Sequence, residues 1–122
     1  MIKMKRAYEP AQKKDGYRVL IDRLWPRGIK KAKLIHDEWA KELAPSTELR
    51  QNFGHELSEW KKFRSLYKKE LRHKEPSQKI SLLVKLARHK TVTLVYSSRD
   101  EEHNDAVVLK EVLERMLNKI AG

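Results

Sequence analysis

Apolar residues along the chain follow two periods, one typical of strands and one typical of helices. Residues 2–8 alternate apolar and basic side chains, which predicts a half-exposed edge strand. Residues 17–22 and 91–96 contain short apolar runs and predict two strands that are buried on both faces. Residues 9–16 read as a turn. This turn joins the first two strands either as a β-hairpin or as a sheet crossover.

Helical spacing dominates most of the remaining chain. Hydroxyl caps and an acidic first turn predict a short helix over residues 46–53 that ends at Gly54. The pattern of residues 34–44 fits either a weak helix or an extended segment, because the segment is short and ends at Pro45. Apolar stripes predict three longer helices, over residues 56–72, 77–89 and 104–120.

The order of these elements predicts an α/β fold: a small single-domain layered fold with a short, mostly parallel sheet flanked by about four helices. At 122 residues the chain is long enough for one core and too short for two ordinary domains, so we predict a single domain over 1–122. We expect the two buried strands, 17–22 and 91–96, to be adjacent and parallel. Each ends in a polar turn, and ligands of open α/β sheets bind at the carboxyl ends of neighbouring strands.

Hydropathy and cysteine content restrict the cellular setting. No apolar run approaches the roughly 20 residues that a membrane span needs, and no apolar stretch follows the charged start. The chain has no cysteine, which excludes disulfides and thiol nucleophiles. We therefore predict a cytoplasmic protein with no membrane partner.

The formal net charge of +11 is concentrated in two blocks. Residues 1–34 carry eleven basic residues against three acidic ones, and residues 50–90 carry twelve against four. Clustered positive charge attracts polyanions without any sequence code. The blocks therefore predict either a nucleic-acid partner or a solvated basic surface.

The turn from Asp22 to Gly28 (DRLWPRG) is the most informative segment. It follows a buried strand and combines two arginines, a carboxylate and an indole. Paired guanidinium groups suit a phosphate or carboxylate. We predict that Arg23 and Arg27 clamp an anion, that Trp25 stacks on the ligand, and that Asp22 orients an arginine or acts as a base.

A second polar segment follows the other buried strand. We expect Tyr96, Ser97 and Asn104 to line the opposite wall of the same site, where a helix N-terminus offers free N–H groups to an anion. His103 is a candidate base, so the catalytic candidates are Asp22 and His103. The alternative is ordinary capping of the last helix by Asn104 or its neighbour.

Several standard chemistries lack their sequence signals. The four glycines are scattered, so no phosphate-binding glycine loop exists. The five histidines lack metal-ligand spacing, although acidic segments near His36 and His103 contain oxygen ligands. We predict no cofactor and no metal.

Motifs along nearly the whole chain resemble one family. They are the 22–28 turn, Glu38-Trp39, the run from Ala44 to Arg50, the stripe Trp60, Phe63 and Tyr67, and Leu94-Val95-Tyr96-Ser97 with Asn104 and Ala106. Together these closely resemble the YeaO-like proteins, domain of unknown function 488. The resemblance implies a compact prokaryotic α/β domain and brings no established reaction.

Three functional hypotheses remain. The first is a binder or enzyme for an anionic small molecule or nucleotide-like ligand at the two polar segments. The second is a nucleic-acid-binding module that uses the basic face of residues 56–72, with residues 77–88 as the other half of a helix-turn-helix. The third is a structural turn in which Asp22 pairs with Arg23 or Arg27 and no ligand binds.

Overall fold

A parallel four-stranded sheet organises the chain. The computed structural model describes residues 1–54 and 56–121. The strands are β1 (Ile2–Arg6), β2 (Tyr17–Leu20), β3 (Glu38–Trp39) and β4 (Val92–Tyr96). Their order across the sheet is β1-β4-β2-β3, and every neighbouring pair is parallel. The chain therefore forms the small α/β fold that its pattern predicts.

The two buried strands are neighbours, as predicted. Val19 of β2 pairs with Leu94 of β4, and the strands run in the same direction. β1 lies at the sheet edge, which is also confirmed, but it pairs with β4. The hairpin alternative for the 9–16 turn is therefore wrong. β4 is apolar on both faces, so the central position between β1 and β2 gives it the most burial.

Residues 34–44 are extended and then form a tight turn. β3 occupies two of these residues, and a 3₁₀ turn follows over Lys41–Leu43. Leu43 is fully buried, and its carbonyl oxygen accepts a hydrogen bond from the buried hydroxyl of Tyr67. This contact fixes the segment to the helical layer, so no continuous helix forms here.

The described residues form four α-helices: α1 (Thr47–Phe53), α2 (Trp60–Glu70), α3 (Lys74–Ala87) and α4 (Asp105–Ala121). The helix predicted over 56–72 is split, since Leu57–Glu59 is a 3₁₀ turn and Leu57 is exposed. α3 begins before Ser77 because Pro76 lies in its first turn, where no N–H is needed. Among residues 1–54 and 56–121, no helix has the length and apolar content to cross a membrane.

The helices cover one face of the sheet. Val19, Ile21 and Leu94 belong to a core that the helices complete. Leu20 and Val95 point to the opposite face, where they pack with residues from the irregular segment before β3: Trp25, Ile29 and Leu34. The segment after β2 therefore acts as the second covering layer.

A buried ion pair anchors the short crossover between β1 and β2. The Asp15 carboxylate lies 2.6 Å from Arg18 and 3.2 Å from Lys5. The hydroxyl of Thr93 on β4 donates to the Asp15 carbonyl oxygen at 2.6 Å. Burial opposes the charge of Asp15, but hydrogen bonds from Gln12, Lys5 and Arg18 outweigh it and lower the pKa of this carboxyl.

The end of this crossover needs glycine. Gly16 has a φ of +64°, and a Cβ there would lie 2.2 Å from the Thr91 carbonyl oxygen.

We expect Gly16→Ala to lower the free energy of unfolding by about 2 to 5 kcal/mol, from left-handed strain plus overpacking. Urea denaturation measures this loss. Gly28→Ala is the control, because Gly28 also has a positive φ but open space around it. It should cost only about 1 to 2 kcal/mol, and equal losses would contradict the steric argument.

Candidate functional site

The two polar segments meet at the carboxyl edge of the sheet. Asp22 follows β2, and its Oδ2 accepts hydrogen bonds from the Ser97 backbone N–H at 2.8 Å and the Ser97 hydroxyl at 2.7 Å. The indole of Trp39 donates to the Asp22 carbonyl oxygen at 2.6 Å. Adjacent parallel strands end at the same edge, which is why residues 75 positions apart share hydrogen bonds.

A second carboxyl group lies against Asp22. Asp105, the first residue of α4, makes a side-chain hydrogen bond with Asp22. Burial and then the negative charge of Asp22 raise the pKa of Asp105 well above its usual range, while Arg50 opposes the shift. Since Asp22 already accepts two hydrogen bonds from Ser97, we assign the shared proton to Asp105, which donates to Asp22.

The acid pair opens into a cavity of about 100 Å³ at the N-terminus of α4. Arg50, from α1, lines the same cavity and supplies a positive charge. The cavity is lined by Asp22, Pro45, Arg50, Phe53, Phe63, Ser97, Ser98, His103, Asn104 and Asp105. It is therefore lined by charged groups of both signs and by two phenylalanine rings.

The glutamate Glu70 holds α1 in place. The Ser46 backbone N–H and hydroxyl donate to its two carboxylate oxygens at 2.8 and 2.6 Å. The Ser46 hydroxyl oxygen also accepts from Leu49 N–H and caps α1. These bonds tie the helix that carries Arg50 to α2.

Arg50 also lines a neighbouring open depression of about 430 Å³, together with Arg23. The Arg23 guanidinium donates to the Pro45 carbonyl oxygen at 3.3 Å and is otherwise exposed. Two arginines therefore line one depression beside the cavity.

Two residues of the 22–28 turn lie elsewhere. Trp25 packs edge-on against Trp39 on the opposite face of the sheet, and its indole donates to Ile29 O at 2.6 Å. Arg27 is exposed, and its carbonyl oxygen accepts from the Tyr8 hydroxyl at 2.8 Å. Within residues 1–54 and 56–121, Asp22 forms no ion pair with Arg23 or Arg27.

Asn104 uses its amide within the protein. Its Oδ1 accepts from Val107 N–H at 3.0 Å, which caps α4, and its Nδ2 donates to the Asp100 carbonyl oxygen at 2.7 Å. This is the capping arrangement that the sequence left open as the alternative. Tyr96 is buried in the core, and burial, above all, raises its pKa to about 12.

His103 lies at the cavity, but its ring nitrogen bonds Asp100 and not the hydroxyl of Ser97. Its Nδ1 is 3.1 Å from Asp100 Oδ2, and its ring meets the Trp60 ring edge-on. The Ser97 hydroxyl donates to Asp22 instead. In the described part of the chain, no three histidine or carboxylate side chains are grouped in a way that could hold a metal ion.

Sequence reasoning missed Arg50 and Asp105. In the sequence, Asp105 looks like an ordinary acidic residue in the first turn of a helix, because a carboxylate stabilises any helix N-terminus. Arg50 lies within the 44–50 run, so a signal for it existed, but its direction depends on how α1 packs. Phe53 and Phe63 read only as core residues.

A family model matches residues 1–121 of the chain and bears the description "Inactive DUF488-N3 subclade". The chain is 46% identical over 115 residues to the uncharacterized protein YeaO of Escherichia coli strain K12, covering 94% of this chain and 98% of that protein. It is 37% identical over 112 residues to the uncharacterized protein Rv3073c of Mycobacterium tuberculosis, covering 92% of each. No solved structure matches the chain.

The acid pair predicts an unusual response to pH. The raised pKa of Asp105 means that its contribution to stability is fully present below its ordinary pKa of 3.8 and is lost as pH rises through the raised folded value. Asp105→Asn keeps the shape and offers an N–H to Asp22. We expect its free energy of unfolding, relative to the parent, to improve from pH 4 to pH 8 in urea titrations.

Asp100→Asn is the matched control. Hydrogen bonds, led by that from Glu102 N–H, lower the pKa of Asp100. Its contribution is therefore present above its ordinary pKa of 3.8 and is lost on acidification. The deficit of this variant should stay constant between pH 8 and pH 4 and shrink only as pH falls below about 3.8, so the titrations of the control extend to lower pH. A difference between Asp105→Asn and the parent that does not change with pH would show that Asp105 ionises as an exposed aspartate does.

Proposed function

The chain belongs to the inactive DUF488-N3 subclade, and we propose that its carboxyl-edge cavity binds a small hydroxylated anion without transforming it. The observation that carries the proposal is the acid pair, Asp22 and Asp105, facing Arg50 in one cavity. Such a site offers different chemistry at its two ends. The description of the subclade as inactive favours binding over catalysis.

The acid pair suits the hydroxyl end of the ligand. A carboxylate accepts hydrogen bonds from hydroxyl groups, and a protonated carboxyl can also donate one. The cavity of about 100 Å³ has room for several water molecules. It therefore accommodates a few heavy atoms, such as one edge of a sugar or the hydroxyl carbon of a hydroxy acid.

The arginines suit the anionic end. Arg50 borders both the cavity and the depression that contains Arg23, so a phosphate or carboxylate between them would meet two guanidinium forks. An anion deeper in the cavity would meet the charge of Asp22 and be repelled. The site thus favours sugar phosphates, nucleotide-like molecules and hydroxy acids over simple anions.

The geometry supports binding more than hydrolysis. Nucleophilic catalysis by serine needs a base that lies within hydrogen-bond reach of the hydroxyl and is not already engaged by other donors. The Ser97 hydroxyl donates to a carboxylate that also bonds Asp105, and His103 is directed to Asp100. Asp22 and His103 therefore serve here as ligand contacts.

Two further predictions from the sequence stay predictions. One is the cytoplasmic location. The other is nucleic-acid binding by the basic face of residues 56–72. On that face Lys61, Lys62 and Lys69 are exposed, whereas Arg64 and Lys68 lie against Glu111.

Thermal melting tests the site with ribose 5-phosphate, glycolate, adenosine monophosphate, ribose and inorganic phosphate as probes. A probe that binds only the folded state raises Tm in proportion to RT ln(1 + [L]/Kd). We expect a hydroxylated anion to raise the Tm of the parent more than ribose or phosphate alone. Arg50→Gln should weaken binding about tenfold or more, because it removes a charge-assisted hydrogen bond.

Arg27→Gln is the matched control, since it removes an equal charge outside the cavity. It should retain the stabilisation by the probe. The proposal fails if none of the three hydroxylated anions raises the Tm of the parent. It also fails if the probe no longer raises the Tm of Arg27→Gln but still raises that of Arg50→Gln, which would place the binding site at the exposed 22–28 turn.

A further inference from the structure

An open groove of about 630 Å³ lies between α2 and α4, beside the start of α3. We call it the α2–α4 groove. It shares no lining residue with the carboxyl-edge cavity. The groove is lined by Arg64, Lys68, Leu71, Arg72, Ser77, Ile80, Glu111, Val112, Arg115, Met116 and Lys119.

Positive charge on the groove is only partly compensated. Glu111 lies 2.5 Å from Arg64 and 3.3 Å from Lys68, and these contacts join α2 to α4 at one end. One to two turns further along, Arg72 on the α2 side and Arg115 and Lys119 on α4 are exposed. None of these three forms an ion pair within residues 1–54 and 56–121.

The floor of the groove is apolar. Leu71 and Ile80 are buried, and Val112 and Met116 are half-buried and reach the opening. Methionine adapts to varied apolar partners, and this is common at surfaces that bind amphipathic helices. None of the described residues that line the groove is aromatic, so they offer no stacking platform of the kind typical of sites for single-stranded nucleic acid.

We propose that the α2–α4 groove binds an acidic amphipathic helix of a partner protein. Apolar side chains of that helix cover Val112 and Met116, and its carboxylates lie against Arg72, Arg115 and Lys119. From Glu111 to Lys119 the groove extends about 12 Å, at about 1.5 Å per helical residue, which matches two to three turns of a bound helix. A nucleic-acid backbone has no apolar face to cover the floor, and a flat bilayer does not enter a concave groove.

Fluorescence anisotropy tests this with defined probes. The first is a labelled 14-residue peptide with leucine on one helical face and glutamate on its flanks. The second has the same composition in scrambled order, and the third has lysine in place of glutamate. A labelled 20-base DNA strand and its duplex test the nucleic-acid alternative. We expect the acidic amphipathic peptide to bind at least about tenfold more tightly than the other two peptides, a difference of about 1.4 kcal/mol.

Charge reversal localises the binding. We expect the double variant Arg115→Glu with Lys119→Glu to weaken peptide binding at least about tenfold at low salt, since two attractions become repulsions. The matched control is Lys61→Glu with Lys85→Glu, which makes the same charge change at exposed helix positions outside the groove. It should change binding by less than about twofold beyond the shared loss of net charge.

The methyl resonances of the methionines report binding in the unmutated protein, so this measurement does not depend on whether the variants fold. The chain has three methionines, and only Met116 lines the groove. With ¹³C-methyl-labelled methionine, the peptide should shift the Met116 resonance and leave Met1 and Met4 unchanged. Equal binding of the ordered and scrambled peptides, an unshifted Met116, or equal losses in the two double variants would overturn the proposal. So would DNA binding tighter than the peptide and lost on reversal of Arg115 and Lys119.

Discussion

The hydrogen bonds from Ser97 to Asp22 join the ends of the two central strands, and the carboxyl edge depends on them. A carboxylate buried at this depth needs donors, and the Ser97 backbone, the Ser97 hydroxyl and the proton on Asp105 supply three. The same arrangement places α4, which begins at Asp105, over the sheet. The carboxylate of Asp22 therefore links the ends of the two strands, the N-terminus of α4 and the cavity.

The central part of the fold could be predicted from the sequence because apolar runs report burial directly. The β2 and β4 strands are buried on both faces, and the polar turn at the end of each predicts that they lie side by side, as they do. The path of β1 could not be predicted this way. A half-apolar strand followed by a turn fits either a hairpin or a crossover, and only the insertion of β4, about 90 residues later, decides between them.

The site was predictable only where it follows a strand. Asp22 and Ser97 meet because parallel neighbours end together. Trp25 lies away from the cavity because the chain after Asp22 runs to the opposite face of the sheet. There the indole packs in the second apolar cluster and donates to the Ile29 carbonyl oxygen. Arg50 comes from a helix, so the direction of its side chain depends on tertiary packing and could not be predicted from the 44–50 run that contains it.

The attachment of α1 has a kinetic consequence. A helix of seven residues is too short to persist alone, so its place depends on packing and on the two bonds from Ser46 to Glu70. Short elements held this way detach at lower free energy than the core does. Under the proposed function, the residence time of a ligand at Arg50 would depend on how often α1 detaches, and a change at Glu70, outside the cavity, would shorten it.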